Sequence, residues 1–165
     1  MKRSLSLFAV VAFCAMRTPR ATAGIADSPV PLLAGQKAQV LYSVTGVQNG
    51  GGLGTYFFCT STGNSSVRVS VELFGAAGGD PVNDASAVAE EIAAGAGVAF
   101  GTRPSLTFVA NGLGTNAQSI INGAARILAT SKSLICTALL SDFTSAPPKS
   151  MSALTVVAKT KQKGD

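Results

Sequence analysis

The sequence predicts an all-β protein, an antiparallel β-sandwich of about eight or nine short strands. Three observations predict it. Apolar and polar residues alternate with period two in several short runs. β-branched and aromatic residues concentrate in those runs. Gly, Asn, Ser and Pro break the chain between them at spacings of about a dozen residues, the rhythm of a sandwich.

Taken in order, 38–45 (AQVLYSVT) and 55–61 (TYFFCTS) are the first two strands, and 62–65 (TGNS) is the turn after them. The clearest strand is 66–74 (SVRVSVELF). Val67, Val69, Val71 and Leu73 point one way while Arg68, Ser70 and Glu72 point the other, which predicts one dry face and one wet face. A long loop spans 75–84. Residues 86–93 contain helix formers, but the AGAG that follows and the extended 97–102 argue for two short strands. A strand is expected at 105–111 (SLTFVAN). Residues 123–131 and 134–143 are expected to form a hairpin about Lys132–Ser133. SAPPKS at 145–150 is a stiff connector, since proline cannot donate to a sheet ladder, and 153–160 closes the domain. The architecture is immunoglobulin-like without immunoglobulin hallmarks: the chain has no Trp, and no Tyr lies two residues before either Cys59 or Cys136.

The N-terminus reads as a secretory signal peptide over 1–23. Lys2 and Arg3 precede an apolar run, Leu5 to Met16, and Ala-Thr-Ala follows at 21–23. The run is shorter than the roughly 20 residues a membrane span needs, so no stable span is expected. Lipidation of Cys14 is disfavoured by the bulky Phe13 before it. An irregular lead-in at 24–37, one domain at 38–161 and a disordered tail at 162–165 complete the expected organisation. About 140 residues are enough for one domain with a core. Of 13 Lys+Arg, four lie in the leader, and the nine left face 8 Asp+Glu. The near-neutral mature chain gives no reason to expect nucleic acid as partner. Cys59 and Cys136 then remain as a pair in a chain bound for an oxidising compartment, outside the cell or in a periplasm, and a disulfide is expected.

Little of the chemistry that enzymes use is on offer. There is no His, which removes Ser-His-Asp and Cys-His catalysis and every His-ligated metal site. Lys37, Lys132 and Lys149 are the candidate bases for a Ser/Lys dyad, but no Ser-x-x-Lys spacing exists. Glu90 and Glu91 are adjacent, so on a strand they face opposite sides and form no carboxylate pair. Asp80, Asn83, Asp84 and Ser86 in one loop are the best calcium candidates, although turn chemistry alone explains those residue types. Tyr42 and Tyr56 are too few for a sugar-stacking platform, and Asn64-Ser65-Ser66 matches a glycosylation sequon.

Gly112-x-Gly114-x-x-Ala117 follows an expected strand and precedes Asp142 by about 25 residues, the pattern of a dinucleotide-binding turn. Gly123 inside the required helix, the short chain beyond Asp142 and the export signal argue against it, and no cofactor is expected. The loop has a twin: Gly-Leu-Gly-Thr occurs at 52–55 and at 112–115. Both copies read as connections between strands. If they share one end of the sandwich, Asn49, Gly52, Gly54, Asn111, Gly112 and Gly114 are the candidate ligand-loop residues.

FFCTSTGNSSVRVSVELF and GAARILATSKSLICTALLSDFTSAPPKSMSALTVV carry a Cys-Thr pair, a Val-rich strand ending in Phe-Gly, Gly-x-Ala-Arg-Ile, Ile-Cys-x-Ala and a Pro-rich step into a last strand. Over 40–161 this pattern resembles a group of small secreted bacterial β-sandwich proteins of uncharacterised function. The resemblance implies fold and cysteine pairing, but no catalytic residues and no activity. The one polar residue in it that invites a role, Arg126, is expected to pair with a carboxylate on the wet face. The expected function is a secreted, non-enzymatic β-sandwich with a structural or binding role and an unknown protein or surface partner. The alternatives are an adhesive or assembly subunit using an edge strand, and an exported hydrolase or calcium-dependent module.

Overall fold

The computed structural model describes residues 25, 28–115 and 118–159. The signal-peptide reading of 1–23, Cys14 and the 162–165 tail lie outside the described residues. Alternating side chains drive the described part into strands, and it contains no helix. The strands are β1 (Leu32–Leu33), β2 (Gln36–Lys37), β3 (Gln39–Gly50), β4 (Leu53–Ser61), β5 (Val67–Phe74), β6 (Glu90–Ile92), β7 (Gly97–Gly101), β8 (Asn111–Gly112), β9 (Ile120–Ala129), β10 (Leu134–Asp142), β11 (Met151–Ala153) and β12 (Val156–Ala158).

β1 and β2 form a small hairpin, and the other ten strands are joined in one sheet that doubles over without closing into a barrel. One layer runs β6-β5-β9-β3-β12 and the other β11-β10-β4-β7-β8. All pairings are antiparallel except β7 with β8. The layers meet at the β3–β4 hairpin, where only Asn49↔Gly54 and Gly50↔Leu53 pair before the strands diverge. Gly51 and Gly52 both have positive φ there, as the tightest hairpin turns require. β11 and β12 change layer at Leu154–Thr155, so one short segment stitches both layers along the same side.

Between the layers lies the core. Val44 and Val47 of β3, Val67, Val69, Val71 and Leu73 of β5, and Ala125, Ile127 and Ala129 of β9 face Phe57, Phe100, Leu134 and Ala138. Cys59 and Cys136 form a disulfide inside this cluster. They sit directly opposite each other on β4 and β10, with Cα atoms 4.2 Å apart, the close spacing of a pair without direct backbone bonds. The bond therefore staples two strands of one layer, whereas an immunoglobulin domain uses its disulfide to join two layers.

Two expectations are corrected. β9 and β10 are not a hairpin: β9 pairs with β3 and β5, β10 with β4 and β11, and 130–133 crosses between layers. Both strands are buried on their inner faces, and sequence alternation alone does not say which layer each one joins. Residues 105–111 are not a strand beyond Asn111. The Ser105 hydroxyl accepts from the Thr107 and Phe108 amides and turns the chain, and Phe108 packs on the rings of Tyr56 and Phe58. The two short strands expected over 86–102 are present as β6 and β7, the first confined to Glu90–Ile92.

The predicted wet face of β5 is also corrected, because Ser70 and Glu72 are buried. The lead-in at 28–37 and the 75–89 segment cover that face, with Leu33, Ala85 and Leu128 forming a second small core. Under this cover Arg126 lies 2% exposed and pairs with Glu72. Its Nε donates to the Glu72 carboxylate at 2.8 Å, and its Nη1 donates to the Ser28 carbonyl at 2.8 Å and the Ile25 carbonyl at 3.0 Å. The guanidinium also stands 5.2 Å from the centre of the Phe74 ring. The expected Arg126–carboxylate pairing is thus present, but in the interior.

Replacing Glu72 by Gln leaves a buried guanidinium without its counter-charge, and is expected to lower unfolding free energy by about 3 kcal/mol in urea denaturation. Changing Cys59 and Cys136 together to Ala is expected to cost about 4 kcal/mol by the loop-entropy argument. Equal stability of the oxidised protein and the double variant would refute it.

Candidate functional site

The strand directions sort the connections into two unlike ends. At one end, short links cross between layers at 62–66, 93–96 and 130–133. At the other lie the β3–β4 hairpin and the long connections 102–110, 113–119 and 143–150, and the 75–89 segment starts there before running back along β5. Long loops on a rigid sandwich are where binding residues usually reside.

The two Gly-Leu-Gly-Thr copies do meet at this end, through their threonines. The Thr55 amide donates to Oγ1 of Thr102 at 2.9 Å, and the Thr102 amide returns a bond to the Thr55 carbonyl at 3.0 Å. Both hydroxyls donate to the Gln48 carbonyl. Thr115 Oγ1 donates to the Thr102 carbonyl and accepts from Asn49 Nδ2 at 3.0 Å. Asn49 also donates to the Gln118 carbonyl at 2.7 Å. Asn49, Thr55, Thr102 and Thr115 are all buried, so this cluster clamps the second loop onto the first hairpin.

Of the candidate ligand-loop residues, Asn49 and Gly54 are thus buried scaffold, while Asn111, Gly112 and Gly114 are exposed. Gly54 and Gly101 share one structural task. A Cβ on Gly101 would lie 3.0 Å from two carbons of the Tyr56 ring, and one on Gly54 would lie 3.1 Å from the Tyr56 hydroxyl oxygen. The ring lies across both glycines, and this burial pushes its hydroxyl above the ordinary tyrosine value. The glycine-nucleotide pattern has no helix after it: Ile120–Ala129 is β9, and a Cβ on Gly123 would meet the Phe74 carbonyl at 2.5 Å.

Asp142, the acidic residue that completes that pattern, instead organises the 143–150 connection. Its Oδ1 accepts from the Thr144 amide and hydroxyl, both at 2.7 Å, and its Oδ2 accepts from the Ser145 hydroxyl and the Lys149 amide. These bonds, Ser145 first and then Thr144, hold the carboxyl well below the usual carboxylate range.

The calcium candidates are likewise used locally. Asn83 accepts from the Leu73 amide at 2.8 Å and donates to the Val71 carbonyl at 2.9 Å, mimicking a strand beside β5. Asp84 Oδ1 accepts from the Ser86 amide and hydroxyl and from the Ala87 amide. Ser86 is the main cause of a lowered Asp84 pKa. Among the described residues no three His, Cys, Asp or Glu side chains converge to hold a metal ion. Lys37, Lys132 and Lys149 lie on β2, in the 130–133 link and in the 143–150 connection, well separated along the fold. Glu91 pairs with Arg68 on the neighbouring strand at the surface.

A cleft of about 430 Å³ remains at the side where β6 stops short of the upper half of β5. Pro81, Val82, Asn83, Asp84, Ala87 and Val88 form one wall, and Leu113 and Gly114 the other. In the sequence, 81–84 and 113–114 lie in candidate loops and Ala87 and Val88 in an expected strand, with nothing to bring the two walls together. Nothing in spacing reveals that Asn83 fastens one wall to β5 while Leu113 buries the other in the core.

Fold and site together define an all-β sandwich with a loop-built cleft, stapled by one disulfide. No family model, curated protein or solved structure matches the chain. No helix among the described residues is long and apolar enough to cross a membrane, and the disulfide is compatible with an oxidising compartment.

The Asp142 network makes a pH prediction. Because its pKa is lowered in the folded protein, its contribution is present above the unfolded value, about 3.9, and is lost as pH falls through the folded one. Asp142→Asn is expected to lower the urea midpoint at pH 7, with the difference from the unmodified protein closing in acid. A difference that stays constant down to pH 2 would show that the charge does not matter.

Proposed function

We propose that this is an exported, non-enzymatic binding protein that takes its ligand at the long-loop end of the sandwich. The observation that carries the reading is the asymmetry of the connections. Those at the far end are short links, while the long connections 102–110 and 143–150 lie at the other end, where 75–89 starts, and 81–88 and 113–114 line the cleft. The threonine clamp supports it, because a site built on loops needs such a fixed base. Export rests on the leader-like 1–23 segment and on the disulfide, and the likeness to secreted bacterial β-sandwich proteins points the same way. The lack of His and the local use of Asp142, Asn83 and Asp84 leave no group of residues that favours the hydrolase or calcium-module alternative. The edge-strand subunit has less support, since the edge strands β6, β8, β11 and β12 are two or three residues long. Very short edges are a common device against edge-to-edge pairing.

The test is an NMR screen of the isotope-labelled, disulfide-bonded protein against small sugars, amines, acids and short peptides. Amide shifts clustering in 75–89, 102–119 and 143–150 are expected. Shifts confined to 62–66 and 130–133, or none at millimolar ligand, would sink the reading.

A further inference from the structure

The cleft has a definite chemical character. Pro81, Val82, Ala87, Val88 and Leu113 give it apolar walls, and Asp84 supplies its one charged group. Its volume of about 430 Å³ lies within the range of small-molecule sites. No Lys or Arg lines it, so the local field is that of the Asp84 carboxylate.

The two oxygens of that carboxylate are used differently. All three bonds from the turn, Ser86 N at 2.9 Å, Ser86 Oγ at 2.6 Å and Ala87 N at 3.3 Å, fall on Oδ1. Oδ2 accepts none from the described residues. The turn thus fixes the carboxylate, keeps it ionised and leaves one oxygen to accept from outside. The backbone behind it is anchored too, since Asn83 is tied to β5 through both of its side-chain polar atoms and the Val82 amide donates to the Leu73 carbonyl at 2.8 Å. A charged oxygen held in place beside an apolar wall is complementary to a cationic donor on an apolar body.

We propose that the cleft binds an aliphatic amine, with the ammonium group on Asp84 Oδ2 and the hydrocarbon against Val82, Val88 and Leu113. The proposal rests on the loop-end binding reading and gives it a ligand class. The amine is either a free alkylamine or the side chain of a lysine in a peptide, and the two present the same chemistry to Asp84.

The test uses methyl-labelled full-length mature protein with the disulfide formed. It is titrated in separate arms with cyclohexylamine, cyclohexanol, cyclohexanecarboxylate and Nα-acetyl-lysine methylamide. Saturable shifts of the Val82, Val88 and Leu113 methyls are expected with cyclohexylamine. Cyclohexanol should bind two- to fivefold more weakly, the factor that a solvent-accessible ion pair supplies, and the carboxylate more weakly still. Asp84→Asn keeps an acceptor for the Ser86 and Ala87 amides and removes the charge, so it should erase the preference for amine over alcohol while the methyl shifts persist. If the lysine derivative binds more tightly than cyclohexylamine, the source is peptide; the reverse order assigns a free amine. Equal binding of amine, alcohol and carboxylate in the cleft overturns the amine assignment and leaves the loop-end site standing. Absence of methyl shifts with every compound overturns the cleft as the site.

Discussion

The buried pair Arg126–Glu72 is the constraint on which the arrangement of this protein turns. An arginine on the outer face of β9 cannot be covered and buried without a counter-charge and without acceptors for its remaining N–H groups. Glu72 on the adjacent strand supplies the charge, and the carbonyls of Ile25 and Ser28 supply the acceptors. Those carbonyls belong to the lead-in, so satisfying the guanidinium requires that segment to lie over the sheet. Once it is there, Leu33 can bury against Leu128 and Ala85, and a face that alternation marks as solvent-facing becomes a second interior. The same cover holds the 81–88 wall of the cleft against β5, through Asn83.

A second polar device acts at the opposite wall. Asn49, Thr55, Thr102 and Thr115 are buried hydroxyl and amide groups whose alternatives to mutual hydrogen bonding are costly. Their bonds tie a two-residue hairpin, the end of β7 and the 113–119 connection into one unit. The repeated Gly-Leu-Gly-Thr therefore has a common ending with a common use, since each threonine joins the clamp through Thr102. Its glycines do not share a use. Gly52 makes a turn, Gly54 makes room for Tyr56, Gly112 pairs in a short strand and Gly114 carries a positive φ beside Val88.

Much of the fold was legible in the sequence. Val67, Val69, Val71 and Leu73 announce a strand with one buried face, and they face the core as read. Cys59 and Cys136 are bonded as expected. The Pro-rich connector falls between β10 and β11. The candidate site was legible only in pieces. Asp84 was noticed for its oxygen and Gly114 for its spacing, yet their position across one cleft depends on contacts between segments about thirty residues apart. Asn83 is a calcium candidate in the sequence because it offers a hard oxygen among others in one loop; its bonds to β5 exist only once the loop has folded back.

By itself the sequence determined the class of structure, because a period-two pattern with frequent turn residues can bury its apolar side only as paired strands. It also determined the cysteine pair and the absence of histidine chemistry. Only the tertiary structure decided which layer each strand joins, as the crossing of 130–133 between β9 and β10 illustrates. It alone decided that Ser70 and Glu72 are interior, and that the two glycine loops meet through threonines. The physical reason is the same in each case. Alternation reports that a residue has two sides, whereas burial of a polar side depends on a distant segment that brings the matching hydrogen bonds.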